Sequence, residues 1–226
     1  MTAQTATHSV SETRLNTFVA QVYLLMALGL AITGFVASWT STNEPLMLKM
    51  AFRPGLAFGL FIVQIIIVVA LSAAVYKMSP GIAFVLFLLY SALTGVTFAS
   101  LFLIYAETQI AQVFWVTAGV FFLTSVLGLV LKKDLSSAGY VLFMLLLGWS
   151  IAWFFSWFFP GMNLLLTYVG IALFVGLTAY DAQRIKQIGQ QVDEHPARGG
   201  LVVLGALTLY LDFINLFLLM LRASNR

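Results

Sequence analysis

Seven apolar runs, separated by short polar connections, take up nearly all of this 226-residue chain, and that pattern leaves few folds open. They lie at about residues 16–39, 54–76, 81–105, 109–131, 137–159, 162–185 and 200–221, each long enough to cross a hydrocarbon core of ~30 Å. Hydrophobic residues make up 62% of the chain and charged residues 8%, whereas soluble domains sit near roughly 45–50% and about 25%. A soluble fold cannot hide that much apolar surface. The runs are continuous and broken only by small residues, without the alternation of barrel strands, so the pattern predicts an all-α membrane protein, a bundle of seven transmembrane helices. With one spanning helix and its loop needing roughly 25–30 residues, no room remains for a further domain.

Residues 1–15 are polar at first and carry no basic leader, and the apolar run that follows is too long for a signal-peptide core. The expectation is a disordered cytoplasmic tail over 1–15 and a single transmembrane domain over 16–226. Orientation follows from basic residues in short loops. Arg14, Lys77, Lys132, Lys133, Arg184, Lys186 and Arg198 fall on one face and Lys49, Arg53, Arg222 and Arg226 on the other. Seven against four predicts a multi-pass protein of the bacterial inner (plasma) membrane with its N-terminus cytoplasmic and its C-terminus outside. The net charge of +3 suits contact with anionic membrane lipid, and the basic residues are too scattered for nucleic acid. The chain has no cysteine, which removes disulfides, thiolate metal sites and lipidated cysteines.

Small residues recur four apart, at Gly55 and Gly59 and at Ser91, Gly95 and Ala99, the spacing that lets helix backbones approach closely. Trp149, Trp153 and Trp157 form a stripe that reads as an interface anchor or lipid-facing surface. Residues 132–137 (KKDLSS) read as a cytoplasmic turn followed by a helix cap. His8 and His195 have no neighbouring ligand set, so no resident metal or cofactor is expected. The longest polar connection is residues 189–200 (GQQVDEHPARGG), a cytoplasmic hairpin loop between the last two runs.

Those last two runs carry Asp181 and Asp212, in a chain that otherwise keeps almost every charge out of its apolar segments. A carboxyl group in lipid is costly enough to be a functional hypothesis by default. Both residues lie about 15–16 positions from Pro196 at the middle of the hairpin, so both sit at similar depth, on the order of 15 Å from the turn, provided the sixth helix runs past Arg184 and Lys186. Thr178 lies one turn below Asp181, and Gly205, Thr208 and Asn215 share the face of Asp212. Two carboxyls meeting in a poorly hydrated site cannot both ionise cheaply; they share a proton and titrate as a pair. The alternative pairs Asp181 with Arg184 and leaves Asp212 as a packing residue bonded to Asn215.

Residues 176–183 (GLTAYDAQ), 209–217 (LYLDFINLF) and 132–135 (KKDL) together resemble the signatures of the Bax inhibitor-1 family, over about residues 16–224. The resemblance is greatest to bacterial inner-membrane members. It implies a seven-helix bundle around a central hydrophobic seventh helix, and a pH-sensitive calcium leak whose sensor is Asp181 with Asp212. Such proteins are described as closed while the pair is hydrogen-bonded and leaky when it separates. Thr178, Arg184, Thr208, Asn215 and Gln64 are the expected supporting polar lining. Where some relatives carry an acidic residue in the second helix this chain has Gln64, and where they carry an arginine it offers Lys77. Fewer acidic groups attract Ca²⁺ less, since the ion seeks six to eight oxygen ligands. Calcium is therefore expected only as a permeant ion held transiently by Asp181 and Asp212.

The leading expectation is thus a proton-gated cation leak, and the chain is not expected to be an enzyme. A second class is a regulatory membrane protein that docks on others, such as a quality-control protease, through the polar tail. Tyr180-Asp181 also resembles the first motif of intramembrane aspartyl proteases, but residues 209–212 (LYLD) lack the glycines of the second.

Overall fold

The computed structural model describes residues 2–43, 45–47, 54–131, 133–156, 158, 160–191 and 197–225. Readings that concern Lys49, Arg53, Lys132, Trp157, His195, Pro196 and Arg226 lie outside the described residues, as does the side chain of His8.

The described residues form helices and no strands. Helix α1 is Thr2–Ser41, α2 Pro54–Ala74, α3 Pro80–Phe98, α4 Glu107–Val130, α5 Ser136–Phe155, α6 Asn163–Gln191 and α7 Arg198–Ser224, with 3-10 turns at Ala99–Leu103 and Pro160–Met162. All seven helices are long and apolar enough to span a membrane. Their limits follow ordinary stop and start chemistry. Proline opens α2 and α3, where its missing N–H breaks no helical bond. Ser79 caps α3, its hydroxyl accepting from the Ile82 N–H at 3.4 Å. Glu107 puts negative charge at the positive end of α4.

One boundary differs from expectation and one agrees with it. Residues 2–15, read as a tail, belong to α1: no glycine or proline stands before Gly29, so nothing in the backbone stops the helix of the first apolar run from extending back to Thr2. Helix α6 does continue past Arg184 and Lys186, to Gln191.

The chain divides into two compact units. The first is Met1–Ala106 with Gly189–Tyr210, and the second is Glu107–Ile188 with Leu211–Arg226. In the first, α1 and α3 approach where Gly95 faces the Thr33 carbonyl; a β-carbon there would lie 2.7 Å from that oxygen. Gly55 and Gly59, by contrast, meet nothing within 4 Å, so the expected close packing of α2 at these two positions is absent. The first unit also holds a buried polar cluster. The Tyr210 hydroxyl lies 2.6 Å from Thr33 Oγ1, which is also 2.9 Å from the Ser91 carbonyl. Phe87 and Tyr90 pack edge-on against the Tyr210 ring, each at 5.7 Å.

In the second unit, α5 presents its apolar side chains outward, with Tyr140, Phe143, Ile151 and Phe154 all exposed. Trp149, expected in the lipid-facing stripe, instead donates its indole N–H to the Leu166 carbonyl at 2.8 Å, and Trp153 lies under the Arg222 guanidinium at 5.5 Å. The stripe joins helices because a tryptophan N–H in an apolar setting needs an acceptor, and α6 supplies one. Helix α7 is the most enclosed span, 67% of its apolar window being buried.

Candidate functional site

Asp181 projects from α6 and Asp212 from α7, both within the second unit, and their side chains are hydrogen-bonded to each other. They are 9% and 6% exposed. The approach depends on both helices running unbroken through these positions, α6 on to Gln191 and α7 from Arg198, so that each aspartate sits inside a helix and not in the connecting loop. Asp212 Oδ2 is buried and accepts no hydrogen bond from an N–H or hydroxyl donor. Arg184, one turn beyond Asp181 and exposed, acts on Asp181 electrostatically. An ionised carboxylate only accepts hydrogen bonds, so a bond between two carboxyl groups requires a proton on one of them.

The other predicted lining residues are placed differently. The Thr178 hydroxyl donates to the Phe174 carbonyl at 2.7 Å, Thr208 to the Leu204 carbonyl at 3.0 Å, and the Asn215 amide to the Leu211 carbonyl at 2.8 Å. Each turns back onto its own helix, the local bond that such residues make when buried in a helix. Gln64 belongs to the first unit, where its amide donates to Thr97 Oγ1 at 2.8 Å. The structure therefore brings together the two aspartates, with Arg184 at the margin. Among the described residues no group of three or more His, Cys, Asp or Glu could hold a metal.

Sequence reasoning missed Gln183, two residues beyond Asp181 and 7% exposed. Its side-chain oxygen accepts from the Leu135 N–H at 2.7 Å, and its amide nitrogen donates to the Leu131 and Lys133 carbonyls at 3.2 and 3.0 Å. The signal was present: an uncharged amide in an apolar run is costly unless its bonds are met. In the same loop the KKDL segment behaves partly as expected. Asp134 accepts from the Ser136 N–H and hydroxyl at 2.9 and 2.6 Å. Those bonds hold its carboxyl below the usual carboxylate range.

A family model described as Inhibitor of apoptosis-promoting Bax1 matches residues 15–225. The chain belongs to the Bax inhibitor-1 family. Among relatives, this family member is 45% identical over 213 residues to the inner membrane protein YbhL of Escherichia coli strain K12, covering 92% of this chain and 91% of the relative. It is 41% identical over 211 residues to an uncharacterized protein of Borreliella burgdorferi, covering 92% and 90%. It is 38% identical over 215 residues to one of Deinococcus radiodurans, covering 94% and 91%. The hydrogen-bonded aspartates of this Bax inhibitor-1 family member lie in the two segments whose motifs carried the resemblance.

Proposed function

We propose that this chain is a pH-sensitive cation leak gated by the Asp181–Asp212 pair. The observation that carries the reading is a buried, hydrogen-bonded pair of carboxyl groups on two membrane-spanning helices. While the pair shares a proton it holds α6 and α7 together. Removing that proton leaves two negative charges facing each other, and at ~4 Å and an effective dielectric near 20 they repel by about 4 kcal/mol. That is comparable to the few kcal/mol that separate two conformations of a protein. Deprotonation thus loosens the helix pair, and the leak rises as pH rises.

The permeant ion is a cation, with calcium the candidate that the family resemblance names. In this reading the protein sits in the bacterial inner membrane, as the name of its Escherichia coli relative describes for that protein. The excess of basic residues in alternate loops supports an N-terminus in the cytoplasm and a C-terminus outside. Calcium and potassium flux in proteoliposomes, from acid to mildly alkaline pH, tests the proposal. A flux that rises with pH and becomes pH-independent in Asp181→Asn with Asp212→Asn supports it. A folded protein with no flux at any pH contradicts it, and favours a regulatory role exerted through contacts with other membrane proteins, such as a protease.

A further inference from the structure

Helix α6 is held around Asp181 by the loop between α4 and α5 and by the helix ends that flank it. A β-carbon at Gly128 would run into the carbonyl of Ala179, and one at Gly139 into the ring of Tyr180, so two turns of neighbouring helix lie directly against α6 just before Asp181. Just after it, Gln183 makes three bonds to residues 131–135. Two go to the carbonyls of Leu131, just past the end of α4, and Lys133 in the loop, and one to the N–H of Leu135, the residue that precedes α5. Unmet carbonyls after one helix and an unmet N–H before the next are the groups a chain must satisfy somewhere. Here a single amide on a third helix bonds to backbone groups on both sides of the connection. Lys186 Nζ adds a bond to the Leu129 carbonyl at 2.8 Å, and Gln187 reaches Asp134 at 3.3 Å.

We propose that Gln183 is a positioning residue for Asp181: by tying α6 to the 131–135 loop it fixes the height and rotation at which Asp181 meets Asp212. The proposal rests on the reading of the pair as a shared-proton switch, and adds that the loop is the part of the molecule through which the switch is set. In α7, by contrast, the residue beside Asp212 is held by ring edges, Phe213 lying 5.5 Å from both Phe114 and Phe121. Tyr210, two positions before Asp212, is hydrogen-bonded to Thr33, so α7 is anchored on its own account, and the polar ties that set the register of α6 come from the 131–135 loop.

The charged groups near the clamp are Arg184 and Lys186 on α6, Lys133 and Asp134 in the loop, and Asp212 on α7. No charged residue stands on α4 between Val113 and Val130 or on α5, whose one titratable side chain is Tyr140. A change in pair titration after altering Gln183 therefore does not come from a charge on those two helices.

Because the chain has no cysteine, two labels can be introduced cleanly. Spin labels at Tyr140→Cys on α5 and Leu165→Cys on α6 report the spacing of those two helices, while infrared titration of the carboxyl band reports the pair's proton without reference to flux. Gln183→Met should broaden the distance distribution and move the titration midpoint toward acid by on the order of one pH unit. Gln183→Glu, which keeps the acceptor for Leu135, should lie between that variant and the wild type. Gln187→Ala, which removes one long exposed bond, should match the wild type in both. An unchanged distance distribution in Gln183→Met overturns the clamp, and a broadened distribution with an unchanged midpoint overturns its positioning of Asp181. Failure of the leak reading is separate: it shows as an absent flux in wild-type protein whose pair still titrates.

Discussion

Tyr210 and Asp212 stand two positions apart on α7, both buried and both hydrogen-bonded, yet they are built for opposite purposes. Tyr210 is fully enclosed, and its hydroxyl meets Thr33 in a cluster completed by the Ser91 carbonyl and two aromatic edges. Every member is uncharged across the physiological range, so the cluster is an anchor that pH leaves alone. Asp212 shares its bond with another acid, and no N–H or hydroxyl donates to its buried Oδ2. A saturated neutral cluster fixes a helix, whereas an unsaturated pair of acids can hold it only while a proton is present. One helix thus carries a permanent attachment in the first unit and a conditional one in the second.

The comparison can be broken most severely at the anchor. Tyr210→Ala removes a fully buried aromatic ring and should cost about 3–5 kcal/mol of stability, read as a large fall in thermal midpoint in detergent at every pH. If its effect varied strongly with pH, the two sites would not be the distinct devices described. Next comes the pair itself. Asp181→Asn with Asp212→Asn should abolish the pH dependence of flux while leaving the fold intact, because two amides can still bond to each other; helical content and flux measured together check this. Tyr210→Phe sharpens the contrast. It removes only the hydroxyl, should cost about 1 kcal/mol, and should leave the pH profile of flux superimposable on the wild type. The smallest effect belongs to Asp134→Asn. Its folded-state carboxyl titrates below the ordinary value, so its contribution is present above the unfolded carboxyl range and is lost as pH falls through the lowered value. The variant should be slightly less stable than wild type at neutral pH and indistinguishable in strong acid, measured by thermal unfolding.

Much of this was readable from the chain. The seven helices were legible because a bilayer demands length and apolarity together, and both are visible in one dimension. The meeting of Asp181 and Asp212 was legible for a similar reason: equal offsets from one loop imply equal depth. What was not legible depends on rotation and on partners from other helices. Thr178, Thr208 and Asn215 share a polar stripe with the aspartates, but each bonds to its own helix, a choice that periodicity cannot reveal. Gln64 was assigned to the same lining by likeness to relatives, whereas it bonds to Thr97 in the other unit. Gln183 went unnoticed because its partners are backbone groups of the 131–135 loop, and a backbone carbonyl has no signature in a sequence. The Tyr210 cluster stayed hidden for the same reason, since it joins residues 33, 91 and 210.

The most direct test follows the shared proton and the flux in one preparation. Infrared titration of the carboxyl band and cation flux would be recorded on the same proteoliposomes from acid to mildly alkaline pH, with Asp181→Asn and Asp212→Asn as assignments of the band. The account predicts that one protonated carboxyl, absent from both variants, disappears over the same pH interval in which flux rises. A band that titrates with no accompanying change in flux, or a flux that rises while the pair keeps its proton, would contradict it.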